Sequence, residues 1–496
     1  MKFFLTVSIT MLFANSFAQE NNVYKEKYRP QFHFSPAKNW TNDPNGLIYH
    51  NGLYHLFFQQ NPFENKWGHM SWGHATSKDL LHWTNLPTAI PEEKKFMIFS
   101  GSAVVDFNNS SGFGNKKQTA LVAMYTAHTE ENQSQQLAYS LDNGENWVQY
   151  ANNPVIDLHK KDFRDPNVTW YAKGKYWLLT VSQPVEKMIS FFSSNDLKEW
   201  KWLSNFGPLG DTSGVWECPD LMQVPVIGEE GKSKWVLMLS QNSSMQYFVG
   251  DFDGRKFVNE NPVNKIFRPD YGPDYYAAIS YHETGLGKNP VSIAWVNNWN
   301  YANDIPTDPW KGAMSLPRTL SLKKMENEWI LMQQPVEYLQ SLRENLIYEN
   351  KNIAVDKEKT LNVQSDQCEI EINWKPSLNS TSGIKLAAGE GKPVMIGYNA
   401  KKDKLFIDRT EAGNNSFNGA YAGLSRYATK LHLRDGWLKL HIYFDKSIIE
   451  VFANDGEVAI TAQIFPNTGN NKIGLFSNDE KNNFDEVKIW EMKSIW

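Results

Sequence analysis

Three short segments of this chain set a carboxylate among stiff or polar neighbours: Trp40-Thr-Asn-Asp43-Pro-Asn-Gly46, Phe163-Arg-Asp165-Pro-Asn167 and Trp216-Glu217-Cys-Pro-Asp220. Two share Asp-Pro-Asn, and the third carries a proline two residues after its glutamate. Proline pushes the residue before it towards extended backbone, so each motif is expected to fix the direction of its segment. A lone Asp-Pro is most simply a turn with a capping carboxylate. Three such segments, their acids 122 and 52 positions apart, gain meaning if the fold brings them together. Converging carboxylates are the equipment for cleaving glycosidic bonds.

Something must carry three distant acids to one place. Short apolar and aromatic runs dominate from Tyr28 to Ile330, among them Leu53–Phe58, Ala120–Tyr125, Tyr176–Val181 and Trp235–Leu239, punctuated by Asn, Gly, Asp and Pro. These read as strands and turns. Ser77-Lys-Asp79, Ser140-Leu-Asp142 and Ser194-Asn-Asp196 are each followed by a tryptophan (Trp83, Trp147, Trp200), spaced by 64 and then 53 residues. A hairpin recurring at that period indicates repeated sheet units, as in propeller blades, and the region holds about five of them. Leu339, Leu342 and Leu346 recur at helical spacing, which predicts a short linking helix within 335–350. Beyond it Leu438, Leu440, Ile442 and Phe444 alternate with Lys439, His441 and Tyr443, a half-buried strand. The expected class is all-β: a five-bladed propeller over 28–334, a linker over 335–350 and a β-sandwich over 351–496.

Composition narrows the function. Lys and Arg number 50 against 55 Asp and Glu, which gives no electrostatic reason to expect nucleic acid or an anionic membrane as partner. The 19 Trp, 21 Tyr and 28 Phe suit a β-rich core, and some suit a surface that stacks on sugars. Met1-Lys2, the apolar run to Phe13 and Ser16-Phe-Ala18 read as a secretory signal over 1–18, cut after Ala18, with no lipid or membrane anchor and a secreted or periplasmic destination. Cys218 and Cys368, the only cysteines, are expected to stay unpaired, and His69, His74 and His82 fit no ligand spacing. Neither metal nor cofactor is expected.

Asn42-Asp43-Pro44-Asn45-Gly46, Arg164-Asp165-Pro166 and Glu217-Cys218-Pro219 resemble the three signature segments of glycoside hydrolase family 32, the β-fructofuranosidases. The likeness extends to Phe57-Phe-Gln59, Trp67-Gly68, Phe99-Ser100, Asp270-Tyr-Gly272, Trp310–Pro317 and Glu450-Val-Phe452, nearly the whole length. It implies Asp43 as nucleophile, Glu217 as acid/base and Asp165 as a ligand for two ring hydroxyls, with Arg164 beside it. It further implies Asn42, Gln59, Phe99 and Ser100 around the cleaved fructose and Trp67 and Trp299 as apolar walls, with Trp40 and Asp270 the outlying members. The neighbours agree with this division of roles. Asp43 lies among Asn42, Asn45 and turn amides, donors that keep it charged, and Glu217 adjoins Val215, Trp216 and Cys218, an apolar setting that favours its protonated form.

The resemblance implies a secreted, retaining, exo-acting enzyme that frees fructose from levan or inulin, with sucrose as a further substrate. An invertase acting mainly on sucrose, a transfructosylase, an inverting arabinan-cleaving propeller enzyme and a non-catalytic fructan binder stay open. Levan and inulin end in the same terminal fructose, so the pocket motifs do not separate them.

Overall fold

The computed structural model describes residues 23–287, 289–389 and 392–496; the expected signal segment lies outside the described residues. Five sheets follow one another, each built on four strands in antiparallel order with the first innermost, and three of them carry a short fifth strand. The innermost strands are Asn39–His50, Met97–Asp106, Arg164–Tyr171, Trp216–Pro225 and Tyr276–Tyr281, and we number the blades I to V in that order. Each innermost strand packs against those of the two adjacent blades, and blade V meets blade I, so the sheets close into a ring. A segment inserted in blade V adds Trp310–Lys311 as a parallel strand beside the start of blade I, which ties the closure. Fold class is as the sequence led one to expect.

Burial explains the sequence pattern. Inner strands are covered on both faces, so Ala120–Tyr125 reads as an apolar run and every residue of the strand up to Ala127 is buried. Outermost strands such as Lys201–Phe206 are short and largely solvent-facing, which protects the sheet edge. The Ser-x-Asp turns link the third and fourth strands of blades I to III. In each, the serine hydroxyl bonds to the aspartate (Ser77 to Asp79 3.0 Å, Ser140 to Asp142 2.7 Å, Ser194 to Asp196 3.0 Å). The same carboxylates accept backbone amides ahead of the tryptophan, such as His82 and Glu199. Blade IV repeats the turn with Asp253 and Phe257 in place of Asp and Trp, too altered for a motif to register.

Two six-stranded sheets form the sandwich. Leu438, Leu440, Ile442 and Phe444 face its core. Tyr443, expected on the solvent side, is buried too, because that face docks on the propeller through Tyr443, Phe452 and Ala459 against Phe32, Phe34 and Leu316. The expected linking helix reduces to a six-residue 3-10 helix, Glu337–Leu342, with Leu339 and Leu342 buried. Leu346 instead lies exposed in the strand Arg343–Val355, which already belongs to the sandwich sheet. Pairing with Asn482–Met492 there outweighs the local helical spacing.

Candidate active site

The start of every innermost strand is bulged. Register slips between Thr41 and Pro44, Phe99 and Gly101, Arg164 and Asn167, Glu217 and Asp220, and Tyr276 and Ile279. Bulges unpair a strand and re-aim its side chains. Here five of them turn one end of each inner strand into the wall of a cavity of about 340 Å³. Asp43, Ser100, Asp165, Glu217 and Tyr276 line it, one from each blade. Arg164, Glu217 and Tyr276 hold the same register position on blades III, IV and V, which is why they meet side by side.

Proline does not act as expected at two of these bulges. Asp165 has φ 64° and Cys218 φ 48°, left-handed backbone rather than extended, although each precedes a proline. Ala277 matches them in blade V with φ 54°. Such a conformation costs roughly 1–3 kcal/mol in a residue with a side chain. The surrounding sheets impose it, and the result turns Asp165 and the Cys218 amide towards each other, 2.9 Å apart.

Asp43 is buried and accepts hydrogen bonds from Ser100 Oγ (2.7 Å) and Asn42 Nδ2 (3.0 Å). Asn45, expected as a donor to it, instead accepts from the Gly101 amide. Burial raises the Asp43 pKa above its ordinary value; the Ser100 and Asn42 bonds oppose this and the Glu217 charge adds to it. The donors favour the charged form as expected, but desolvation outweighs them in the net direction. Asp165 is likewise raised, first by burial, then by Glu217 and Asp43 against the pull of Arg164.

Glu217 is half-buried, and its surroundings also differ from expectation. Trp216 turns its indole away to the Asp211 carbonyl. The Glu217 carboxyl meets polar groups: Oε1 takes Arg164 Nε at 3.0 Å and Nη2 at 2.9 Å, and Oε2 takes the Tyr276 hydroxyl at 2.5 Å. Arg164 Nη1 reaches Asp162 at 2.8 Å and Gln133 at 3.3 Å. Burial works against the Arg164 charge, but Glu217 and Asp165 more than offset it and hold the guanidinium protonated.

Ten of the twelve expected residues line the cavity: Asn42, Asp43, Gln59, Trp67, Phe99, Ser100, Arg164, Asp165, Glu217 and Trp299. Gln59 Nε2 is buried with no protein partner, a donor free for a hydroxyl. Trp67 and Trp299 stay partly exposed at the rim. Trp40 does not line the cavity. It lies fully buried beneath Trp299, rings 6.0 Å apart, and its indole donates to Asn42 Oδ1 at 2.7 Å, so it positions rather than touches. Asp270 is also corrected. Its carboxylate is consumed by Arg318 (2.9 Å), the Thr461 amide and hydroxyl (2.9 and 2.7 Å) and the Gly272 amide, where the propeller meets the sandwich.

Sequence reasoning missed Met70, His128, Gln133, Asp162 and Tyr276 in the lining, and Cys218 between the acids. The Cys218 thiol lies 3.5 Å from Asp43 and 3.7 Å from Asp165; burial raises its pKa well above the usual range, so it stays a neutral weak donor. Cys218 and Cys368 are unpaired. Tyr276 was within reach, since the blade repeat requires a fifth inner strand whose first residue faces the axis. His128 stacks on Phe99, centroids 4.1 Å apart, and nothing in its sequence context announces it.

Residues 33–335 match the family model described as glycosyl hydrolases family 32 N-terminal domain, and residues 338–491 the one described as glycosyl hydrolases family 32 C terminal. A levanase of Bacillus subtilis is 43% identical over 99% of this chain and 74% of its own length. An extracellular exo-inulinase of Aspergillus ficuum is 38% identical over 95% of this chain and 96% of its own. The crystal structure of exo-inulinase from Aspergillus awamori superposes with a TM-score of 0.91 at 37% identity, covering 95% of this chain and all of that one. A β-fructofuranosidase of Schwanniomyces occidentalis complexed with fructosyl-erythritol superposes at 0.86 and 34% identity, covering 95% and 99%.

Proposed function

The chain belongs to glycoside hydrolase family 32, and from that membership and the geometry of the axial cavity we propose a secreted, retaining, exo-acting fructan β-fructosidase. The glycosidase class and action on fructan follow from relatives of high identity over nearly full length. The residue roles, the stereochemistry and the export are our reading. No helix among the described residues is long and apolar enough to cross a membrane.

One observation carries the reading: Asp43, Asp165 and Glu217, each from a different blade, converge with Arg164 in one cavity. In the mechanism we infer, a terminal fructosyl unit enters with its anomeric carbon against Asp43, at the buried end. Asp43, ionised when the substrate binds, attacks that carbon. Glu217 gives its proton to the departing glycosidic oxygen, and the bond between carbon and that oxygen breaks. Water then attacks the fructosyl ester, Glu217 takes its proton, and Asp43 is released as carboxylate. Asp165 and the free Gln59 Nε2 bind ring hydroxyls, bonds that strengthen as the ring gains positive charge. Asp43 and Asp165 lie buried in it while Trp67 and Trp299 stay exposed at the rim, a depth that suits a chain end and favours exo action.

The test is the product profile on levan, inulin and sucrose, with the first-formed anomer read by NMR. Fructose alone, released in the retained configuration from either fructan, is expected. Release from sucrose only would make the protein an invertase, transfer products would make it a transfructosylase, and an inverted first product would overturn the roles given to Asp43 and Glu217.

A further inference from the structure

Arg164 sits between two carboxylates. Its Nε and Nη2 face Glu217 Oε1 at 3.0 and 2.9 Å, while Nη1 faces Asp162 Oδ1 at 2.8 Å. The arrangement creates a conflict for the reading above. A guanidinium bonded twice to one carboxyl favours its ionised form, yet Glu217 must carry a proton to act as the acid. The nearby negative groups pull the other way. Asp43 on blade I and Asp165 on blade III face Glu217 across the cavity; Tyr276 on blade V donates to it; the neutral Cys218 thiol lies between the two aspartates. Asp43 and Asp165 are themselves committed to substrate and change charge or contacts during turnover. Asp162 is not. It lies at the cavity rim, two residues before Arg164, partly exposed, and its carboxylate engages no hydroxyl donor from the protein.

We propose that Asp162 is a positioning residue that holds the proton on Glu217 by drawing the charge of Arg164 away from it. The bond to Asp162, supported by Gln133 Oε1 at 3.3 Å, fixes the third guanidinium nitrogen on the far side from Glu217. One cation is thereby shared between two acids instead of serving one. His128, whose pKa burial lowers and Arg164 lowers further, is neutral and does not compensate. Lys161, adjacent in sequence, makes no ion pair with Asp162, which leaves the carboxylate's charge directed at Arg164. Asp162 thus acts through Arg164 and needs no contact with the sugar. This inference rests on the acid role given to Glu217.

Asp162→Asn keeps an acceptor oxygen for Arg164 and removes only the charge. Infrared difference spectra recorded against pH give the readout, using the protonated-carboxyl stretch that Glu217→Gln abolishes. That band should titrate at a pH lower by about half a unit or more in Asp162→Asn. Asp162→Glu should return it towards the wild-type midpoint. In parallel, the alkaline limb of kcat/KM on sucrose should move down by the same amount. An unmoved midpoint in Asp162→Asn overturns the proposal, and a rise of KM alone beside it marks a hydroxyl contact instead. A band that moves while the limb stays supports the coupling and places the fault in the role assigned to Glu217.

Discussion

Two buried clusters of charge in this protein look alike in composition and differ in balance. At the propeller–sandwich interface, Arg318 holds Asp270 at 2.9 Å and Glu450 at 2.7 Å, Arg409 holds Asp274 at 2.7 Å, and His33 bridges Asp445 and Glu450. Three cations meet four carboxylates there, and backbone amides of Gln31, Phe32, Leu316 and Thr461 add further bonds to the carboxylate oxygens. In the axial cavity one arginine faces Asp43, Asp162, Asp165 and Glu217. The interface carboxylate Glu450 is lowered in pKa despite burial, by Arg318 and His33, whereas Asp43 and Asp165 are raised. A paired cluster holds two domains together. An unpaired one stores unfavourable charge that a substrate hydroxyl or a developing cation can relieve.

Opposite outcomes from two alanine substitutions would make this contrast sharp. In the proposed mechanism Asp43 supplies a whole covalent step, so Asp43→Ala should lower kcat by about 10⁴-fold or more. Its melting temperature should stay level or rise, because one of several like buried charges is gone. A stability loss as large as that of an interface variant would break the comparison. Glu450→Ala should do the reverse. It takes one of two carboxylate partners from both Arg318 and His33, at a cost of about 3–5 kcal/mol in urea unfolding, with kcat per folded molecule close to wild type.

The interface also has a pH signature. Burial opposes charge on His33, but the bonds to Asp445 and Glu450 more than offset it and raise its pKa to about 9. A raised histidine contributes stability in full below its unfolded value of about 6.5, lost as pH climbs through 9. Unfolding free energy should fall by about 3 kcal/mol across that window, and His33→Gln should flatten the fall. A wild-type curve that is level from pH 6.5 to 9 would remove the ion-pair reading of His33. The smallest effect belongs to the cavity rim. Trp299→Ala should raise KM for fructan about tenfold, or ~1.4 kcal/mol, with little change in kcat, because a wall that contacts ground and transition states equally affects binding alone.

Much of the site was legible because its chemistry is written in short motifs. Asp43, Asp165 and Glu217 announced themselves by type and by neighbours, and the Ser-x-Asp turns announced the blades. Where inference from neighbours failed, the failing step was local. Trp216 and Val215 adjoin Glu217 in sequence but a strand alternates its side chains, so Glu217 faces Arg164 and Tyr276 from other blades. Asp270 shares a motif with pocket residues of the resembled family, yet Arg318 and Thr461, 48 and 191 positions away, claim it. Proline's preference for extended neighbours is a local rule too, and the bulges at Asp165 and Cys218 override it.

By itself the sequence determined the inventory: which acids are present, that strands recur at a blade-like period, and that apolar runs fill inner strands. Those properties depend on residue type and on contacts within a few positions. The tertiary structure alone decided the allotment of charge. Whether a buried carboxylate becomes a paired strut, as Glu450 does, or stays underpaired, as Asp43 does, depends on which cations arrive from elsewhere in the fold. No spacing along the chain encodes that, because the energies are set by distance and burial in space.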